Sequence, residues 1–187
     1  MACLSNITLG GLQHSCEANL AGIKKVYLGY YGEFTITPTE EGHTATIAAF
    51  NTGTEEAPVP SPDAKLWEYT FAKKTGSLTS TLTKDETNGV RYYTHTITLQ
   101  FNKLEAKKHL EMEAMAAESL IAIVVDNNNK SWLVGADGYL SATAQTAQTG
   151  QSYDELNGYT LTMDAMSAHL PYEVTEADYK EFVQPIQ

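Results

Sequence analysis

Basic residues are scarce in this chain. Twelve lysines and arginines stand against 23 aspartates and glutamates, for a formal net charge of −11 and a pI near 4.8. A nucleic-acid binder needs a basic face that displaces phosphate counterions. Here the longest basic runs are the pairs Lys24-Lys25, Lys73-Lys74 and Lys107-Lys108, so direct DNA binding is not expected. An acidic surface suits a channel along which DNA slides without sticking, and equally it keeps a cytosolic protein soluble. Cysteine is nearly absent: Cys3 and Cys16 are too few for the disulfide framework of a small secreted domain, although one bridge is possible. With His14 they lack both a C-x-x-C pair and a convincing fourth ligand, so no zinc site is expected. No apolar run approaches the ~20 residues of a membrane span. The longest, Leu120 to Val125, suits a buried strand. The opening Met1-Ala2-Cys3-Leu4-Ser5-Asn6 lacks the basic-then-apolar layout of a signal peptide, which points to synthesis in the cytoplasm.

Catalytic signatures are missing as well. There is no phosphate loop, dinucleotide fingerprint, nucleophile elbow or H-E-x-x-H helix. The histidines His14, His43, His95, His109 and His169 are widely spaced, and each reads as a surface or half-buried polar residue. The carboxylate pairs Glu40-Glu41, Glu55-Glu56 and Asp85-Glu86 fall in loops, where solvated acids are the default. Asp126-Asn127-Asn128-Asn129 lacks the glycine and terminal glutamate of a calcium loop, and reads as a hairpin turn. The expectation is a non-enzyme without cofactor or metal.

What is present is β pattern. At 187 residues, with 42% hydrophobic and 19% charged residues, the chain is globular and long enough for one core. Residues 1–22 read as an extended arm and 23–187 as one domain. Ile23 to Tyr31, Phe34 to Thr37 and His43 to Phe50 have the branched and aromatic content of strands. Residues 51–63, with Pro58, Pro60 and Pro62, form a surface loop. Residues 66–101 read as one long hairpin: Leu66 to Lys73 is amphipathic, Gly76 to Leu82 is rich in Thr and Ser, and Val90 to Phe101 alternates. Its tip lies near Thr83 to Gly89, where Asn88-Gly89 favours the positive φ of a tight turn. A helix is predicted over 103–118, capped by Asn102 with Glu105 at the third position. Its two partly apolar faces, Ala106/Leu110/Ala114/Ala117 and Leu104/Met112/Met115/Ala116, fit either contacts on both sides or an imprecise amphipathic helix on one sheet. Ser119 to Asp126 and Trp132 to Val134 form a second hairpin, 139–152 an exposed strand or loop, Tyr159 to Met163 and Pro171 to Val174 further strands, and Thr175 to Val183 a short helix capped by Thr175 with Asp178. The fold class expected is mainly β: an antiparallel two-sheet sandwich or partly open barrel flanked by one helix.

Four segments in this order resemble structural proteins of phages and prophages from gut Bacteroides-type bacteria. They are Cys3-Leu4-Ser5-Asn6-Ile7-Thr8-Leu9-Gly10, Gly22-Ile23-Lys24-Lys25-Val26-Tyr27-Leu28, Val125-Asp126-Asn127-Asn128-Asn129-Lys130-Ser131-Trp132-Leu133-Val134-Gly135 and Asn157-Gly158-Tyr159-Thr160-Leu161-Thr162. The helix after a long hairpin is similar to the fold of phage major tail proteins, which form the tail tube. That resemblance implies a virion protein that pairs sheet edges into six-membered rings. The rings stack through the hairpin and terminal arms into a tube, among other tail proteins and with DNA only as passing cargo. It also implies assembly in the host cytoplasm and residence in the tail. The assembly residues expected on the hairpin are Leu78, Leu82, Asn88, Gly89, Tyr92 and Tyr93. Rival readings are a head–tail connector, a tail terminator, a capsid decoration protein, a carbohydrate-binding sandwich using Trp67, Trp132 and the tyrosines as a stacking platform, and a hydrolase using scattered acids.

Overall fold

The computed structural model describes residues 12, 18–39, 43–51, 61 and 64–184. The cysteines, His14, most of the expected arm and nearly all of the proline loop lie outside the described residues. The chain is mainly β, with several sheets and, among the described residues, two α-helices. Its strands are β1 (Ile23–Tyr30), β2 (Phe34–Pro38), β3 (Ala45–Ala49), β4 (Leu66–Tyr69), β5 (Gly76–Asp85), β6 (Val90–Asn102), β7 (Leu120–Asp126), β8 (Ser131–Val134), β9 (Ser141–Gln148), β10 (Gly158–Ser167), β11 (Tyr172–Val174) and β12 (Val183–Gln184). Helix α1 (Ala106–Ala117) follows β6, and the single turn α2 (Glu176–Tyr179) follows β11.

Three sheets stack. A six-stranded sheet runs β11-β8-β7-β1-β4-β12, a four-stranded sheet runs β5-β6-β10-β9, and β2 pairs with β3. The six-stranded sheet is the spine because both of its faces are covered. In β7, Leu120, Ala122 and Val124 join one core, while Ile121, Ile123 and Val125 join the other. A two-residue period between two buried faces produces the unbroken apolar run that the sequence displays. The first core meets Ile97, Leu99 and Phe101 of β6 and Tyr159, Leu161 and Met163 of β10. The second packs against Phe34 of β2, Ile47 of β3 and Tyr179 of α2. A register shift at Lys24 in β1 turns Ile23 back to the same side as Val26 and Leu28.

Within the four-stranded sheet, β10 and β6 approach closely at Gly158, the first residue of β10, which pairs with Asn102. A Cβ there would lie 2.0 Å from the Phe101 carbonyl oxygen, so only glycine permits this pairing. The Thr175–Asp178 cap is as the sequence predicts: the Thr175 amide donates to the Asp178 carboxylate at 2.9 Å and its hydroxyl at 2.6 Å.

Two expectations change. Leu66–Tyr69 is not part of the long hairpin; it is β4 of the six-stranded sheet, with Trp67 opposite Leu28. The chain crosses between sheets at 70–75, where Thr75 bonds back to Ala72 and Lys74 takes φ +69°. An amphipathic pattern specifies which face is buried, not which strand is the neighbour. The hairpin is therefore β5–β6, residues 76–102. The helix starts at Ala106 rather than 103, and Asn102 does not cap it. Asn102 belongs to the ladder with β10 instead, and Lys103 with φ +64° turns the chain. The amide of Leu104 donates to Asn157 Oδ1 and that of Glu105 to the Tyr159 hydroxyl, both at 3.3 Å.

Ile123 is fully buried in the central strand. Ile123→Ala should lower unfolding free energy by about 2–5 kcal/mol, because methyl groups are removed where both faces are packed. Urea unfolding of the two chains measures this, and a loss below about 1 kcal/mol would contradict the double-faced core.

Candidate assembly interface

The four-stranded sheet carries two open edges. Among the described residues, β5 is hydrogen-bonded to β6 alone and β9 to β10 alone. These are long strands, of 10 and 8 residues. Proteins normally blunt such edges with lysine, proline or a bulge, because unpaired N–H and C=O groups invite another strand. β9 reads Ser-Ala-Thr-Ala-Gln-Thr-Ala-Gln: no charge, no proline, and one irregularity opposite Thr162 and Met163. β5 is uncharged until Lys84 and Asp85 at its far end.

The outer face of this sheet is a field of hydroxyls. Ser77, Thr98 and Thr162 form one cross-strand row, and Thr79, Thr96 and Asp164 the next. Asp164 is the one carboxylate along these rows, and it accepts a hydrogen bond from Thr143 at 3.1 Å. The inner face alternates with it and is apolar, as the Thr-rich alternation in the sequence implies.

Beyond the last row shared with β10, Ser167 opposite Tyr93, the hairpin continues alone. Among the described residues, the rows Thr83–Tyr92, Lys84–Arg91 and Asp85–Val90 have no third strand beside them. With the turn at 86–89, the ribbon projects by roughly 10 Å or more at ~3.3 Å per residue. A bare two-stranded ribbon is marginal in water. Here Asp85 braces the turn: its carboxylate accepts from the Thr87 amide at 2.9 Å, the Asn88 amide at 3.3 Å and Asn88 Nδ2 at 2.6 Å. Those bonds, that from the Asn88 side chain first, hold the Asp85 carboxyl below the usual range. Gly89 supplies φ +65°.

The six expected hairpin residues divide. Asn88 and Gly89 form the tip, and Leu82 is exposed near its base. Tyr92 and Tyr93 point to opposite faces, as neighbours in a strand must, and both are half-buried. Leu78 lies deeper and packs against the first core, so its role is in the sandwich rather than the projection.

The base of the ribbon is tied to the rest of the fold by His95. This side chain is 1% exposed. Its Nδ1 lies 2.9 Å from Ser80 Oγ on β5, and its Nε2 2.9 Å from the His169 carbonyl in the crossover from β10 to β11. The widely spaced histidines in the sequence gave no sign of this; only strand pairing brings Ser80 opposite His95. The asparagine-rich turn after β7 also has a role that spacing did not reveal. Asn128 Oδ1 accepts the Leu20 amide at 2.9 Å, and Asn127 Nδ2 donates to the Ala21 carbonyl at 2.7 Å. The turn is thus an anchor for the segment entering β1.

Helix α1 buries only Met112 and Met115. Its Ala106, Leu110, Ala114 and Ala117 face is left exposed, with Leu110 at 69%. Between α1 and β4 runs a groove of about 610 Å³ whose walls include Trp67, Tyr69, Phe101 and Met112. A smaller hollow of about 340 Å³ continues from it past Tyr30 and Leu110. Tyr69 spans the groove, donating to Glu111 at 3.0 Å. Trp67 meets Tyr30 edge-on at 5.2 Å. Trp132 lies three strands away on β8, its indole N–H donating to Asp126 at 3.2 Å. At ~4.8 Å per strand the two indoles are roughly 14 Å apart, with intervening strands between them, and they do not join into one stacking platform.

Among the described residues no group of three or more His, Cys, Asp or Glu side chains is placed to hold a metal ion, and no helix is long and apolar enough to cross a membrane. Compared with known protein families, with curated proteins and with solved structures, the chain matches none.

Burial pushes the His95 imidazole below its ordinary pKa of 6.5, against smaller opposing effects of the His169 carbonyl and Asp137. An unfolded chain takes up that proton near pH 6.5 and the folded one only at lower pH. The stability held by neutral His95 is therefore complete above about pH 6.5 and is lost as pH falls from there toward the folded pKa. Melting curves from pH 7 to 5 should show wild type losing more stability than His95→Gln. Parallel losses would show that His95 does not titrate differently on folding.

Proposed function

We propose that this protein is a structural subunit of a phage virion, of the tail-tube kind, and that it acts by pairing with copies of itself. One observation carries this reading: a four-stranded sheet with a long edge on each side that no other described strand pairs, β9 without charge and β5 without charge until Lys84 and Asp85 at its far end. All its neighbours are antiparallel, so β5 and β10 run one way and β6 and β9 the other. With an even strand count, a copy rotated about an axis along the strands brings its β5 antiparallel to β9. Repetition extends the sheet head to tail, and a rotation that closes gives a ring.

The inner face of the sheet is committed to the sandwich core. Only the hydroxyl face remains to line the lumen of such a ring. Six copies, the number implied by the resemblance to tail proteins, give about 24 strands. That exceeds the roughly 16–18 strands at which barrels already enclose an aqueous channel. A lumen of threonine and serine with one carboxylate per subunit offers phosphates no cation to hold, so DNA is cargo rather than ligand. A connector, terminator or decoration protein shares the edge pairing but need not stack. Long tubes mark the tail-tube role.

Negative-stain microscopy of concentrated protein tests this. Wild type should give rings and stacked tubes. Ala144→Lys, which places a charge in the exposed middle of β9, should remain monomeric and change folding stability by no more than about 0.5 kcal/mol. Equal assembly of Ala144→Lys and wild type would show that β9 is not the pairing edge.

A further inference from the structure

The dipeptide Asn-Gly occurs twice, as Asn88-Gly89 and Asn157-Gly158. This pair is open to a spontaneous reaction of the main chain. The peptide nitrogen after an asparagine can attack that asparagine's own side-chain amide carbon. A following glycine leaves the nitrogen unshielded, because it has no Cβ. The fold puts the two pairs in opposite circumstances.

Asn157-Gly158 is locked. Gly158 is buried and pairs with Asn102 on one side and Gln148 on the other. The Asn157 carbonyl accepts the Lys103 amide at 2.6 Å, and its Oδ1 accepts the Leu104 amide at 3.3 Å. Turning this side chain onto the Gly158 nitrogen breaks the second bond and moves backbone that strands hold on both sides.

Asn88-Gly89 is open. Both residues are exposed in the turn of the ribbon. Among the described residues, nothing lies within 4 Å of where a Gly89 Cβ would stand. Among them, too, the Gly89 amide makes no hydrogen bond. The Asn88 side chain is held by Asp85, to which its Nδ2 donates at 2.6 Å. That bond lies on the surface, where water competes for it.

We propose that Asn88 is a site of spontaneous deamidation in the free chain, and that its conversion removes the brace of the ribbon tip. The Gly89 nitrogen bonds to Asn88 Cγ and loses its proton. The bond from Cγ to the side-chain nitrogen breaks, and ammonia leaves with that proton. The product is a succinimide ring. Water then opens the ring, adding its hydroxyl to one carbonyl and its proton to the departing nitrogen. Opening at one carbonyl gives aspartate at position 88. Opening at the other gives isoaspartate, in which the main chain runs through the side-chain carbon. The chemistry needs only water and no partner, so it is independent of the self-assembly reading.

The consequence follows from the same geometry. The Asn88 Nδ2 donor is replaced by a carboxylate oxygen facing Asp85, and like charges that close repel. Asp85 thereby loses the bond that does most to hold its carboxyl below the usual range. The tip passes from balance, with Lys84 and Arg91 against Asp85 and Glu86, to an excess of negative charge. A two-stranded ribbon is marginal without its turn, so the rows nearest the tip open.

Peptide mapping by mass spectrometry tests the site. Wild-type protein is held folded in mildly alkaline buffer and sampled over days. Asn88 should convert at least about tenfold faster than Asn157, because only Asn157 must wait for strands to open. In the urea-unfolded chain the two rates should converge. Equal rates in the folded protein, or a gap of the same size after unfolding, would overturn the assignment. Hydrogen exchange tests the consequence in Asn88→Asp, which reproduces the aspartate product. The Val90 and Tyr92 amides should exchange about tenfold faster than in wild type, with Ile123 of the central strand unchanged. Wild-type exchange at Val90 and Tyr92 would show that conversion does not release the tip. Faster exchange at Ile123 as well would place the effect on the whole fold, and would equally overturn the loss of a local brace.

Discussion

Like-charge repulsion is the constraint around which this molecule is arranged. A chain of net charge −11 resists meeting its own copies, so the proposed self-assembly favours surfaces where that charge is absent or balanced. The four strands of the smaller sheet contain only Lys84, Asp85, Arg91 and Asp164 as charged residues. Three of these four lie in the projecting ribbon, where they balance within one charge, and Glu86 completes the balance. In the proposed assembly, the acidic residues elsewhere hold copies apart and the nearly neutral sheet is where they join.

The six-stranded sheet makes this division possible. Because β7 and β1 are packed on both faces, the spine buries enough apolar surface to hold the fold, and the smaller sheet is required to contribute only its inner face. Its outer face and both edges are then free to be polar and unpaired. The histidine at the ribbon base extends the same logic. His95 links β5, β6 and the crossover to β11 through two hydrogen bonds, so the free ribbon is held by the sandwich rather than by its own weak pairing. Asp85 does for the tip what His95 does for the base.

Much of this was legible in the sequence, and the failures have physical causes. Alternation gave the strands, Asn88-Gly89 gave the turn, and Thr175 with Asp178 gave the last cap, because each depends on chemistry within a few residues. The partner of Leu66–Tyr69 was misjudged because an amphipathic strand records its faces and not its neighbour. Asn102 was misread as a cap because a longer ladder with β10 outcompetes helix initiation there. β12, two residues pairing parallel to β4, has too little pattern to detect. Of the six hairpin residues expected, Asn88 and Gly89 lie at the tip of the turn, while Leu78 packs against the first core. The open edges and the groove were not readable, since both depend on which strands end a sheet and where α1 comes to rest.

Sedimentation velocity across a salt series is the most direct measurement of whether neutral strips join mutually repelling subunits. Added salt screens the acidic surface without weakening apolar or main-chain contacts. Mass at fixed protein concentration should therefore rise with ionic strength, from monomer toward ring and then tube. A mass that is largest at low salt and falls as salt is added would mean that charge pairing holds the copies together, and would contradict this arrangement.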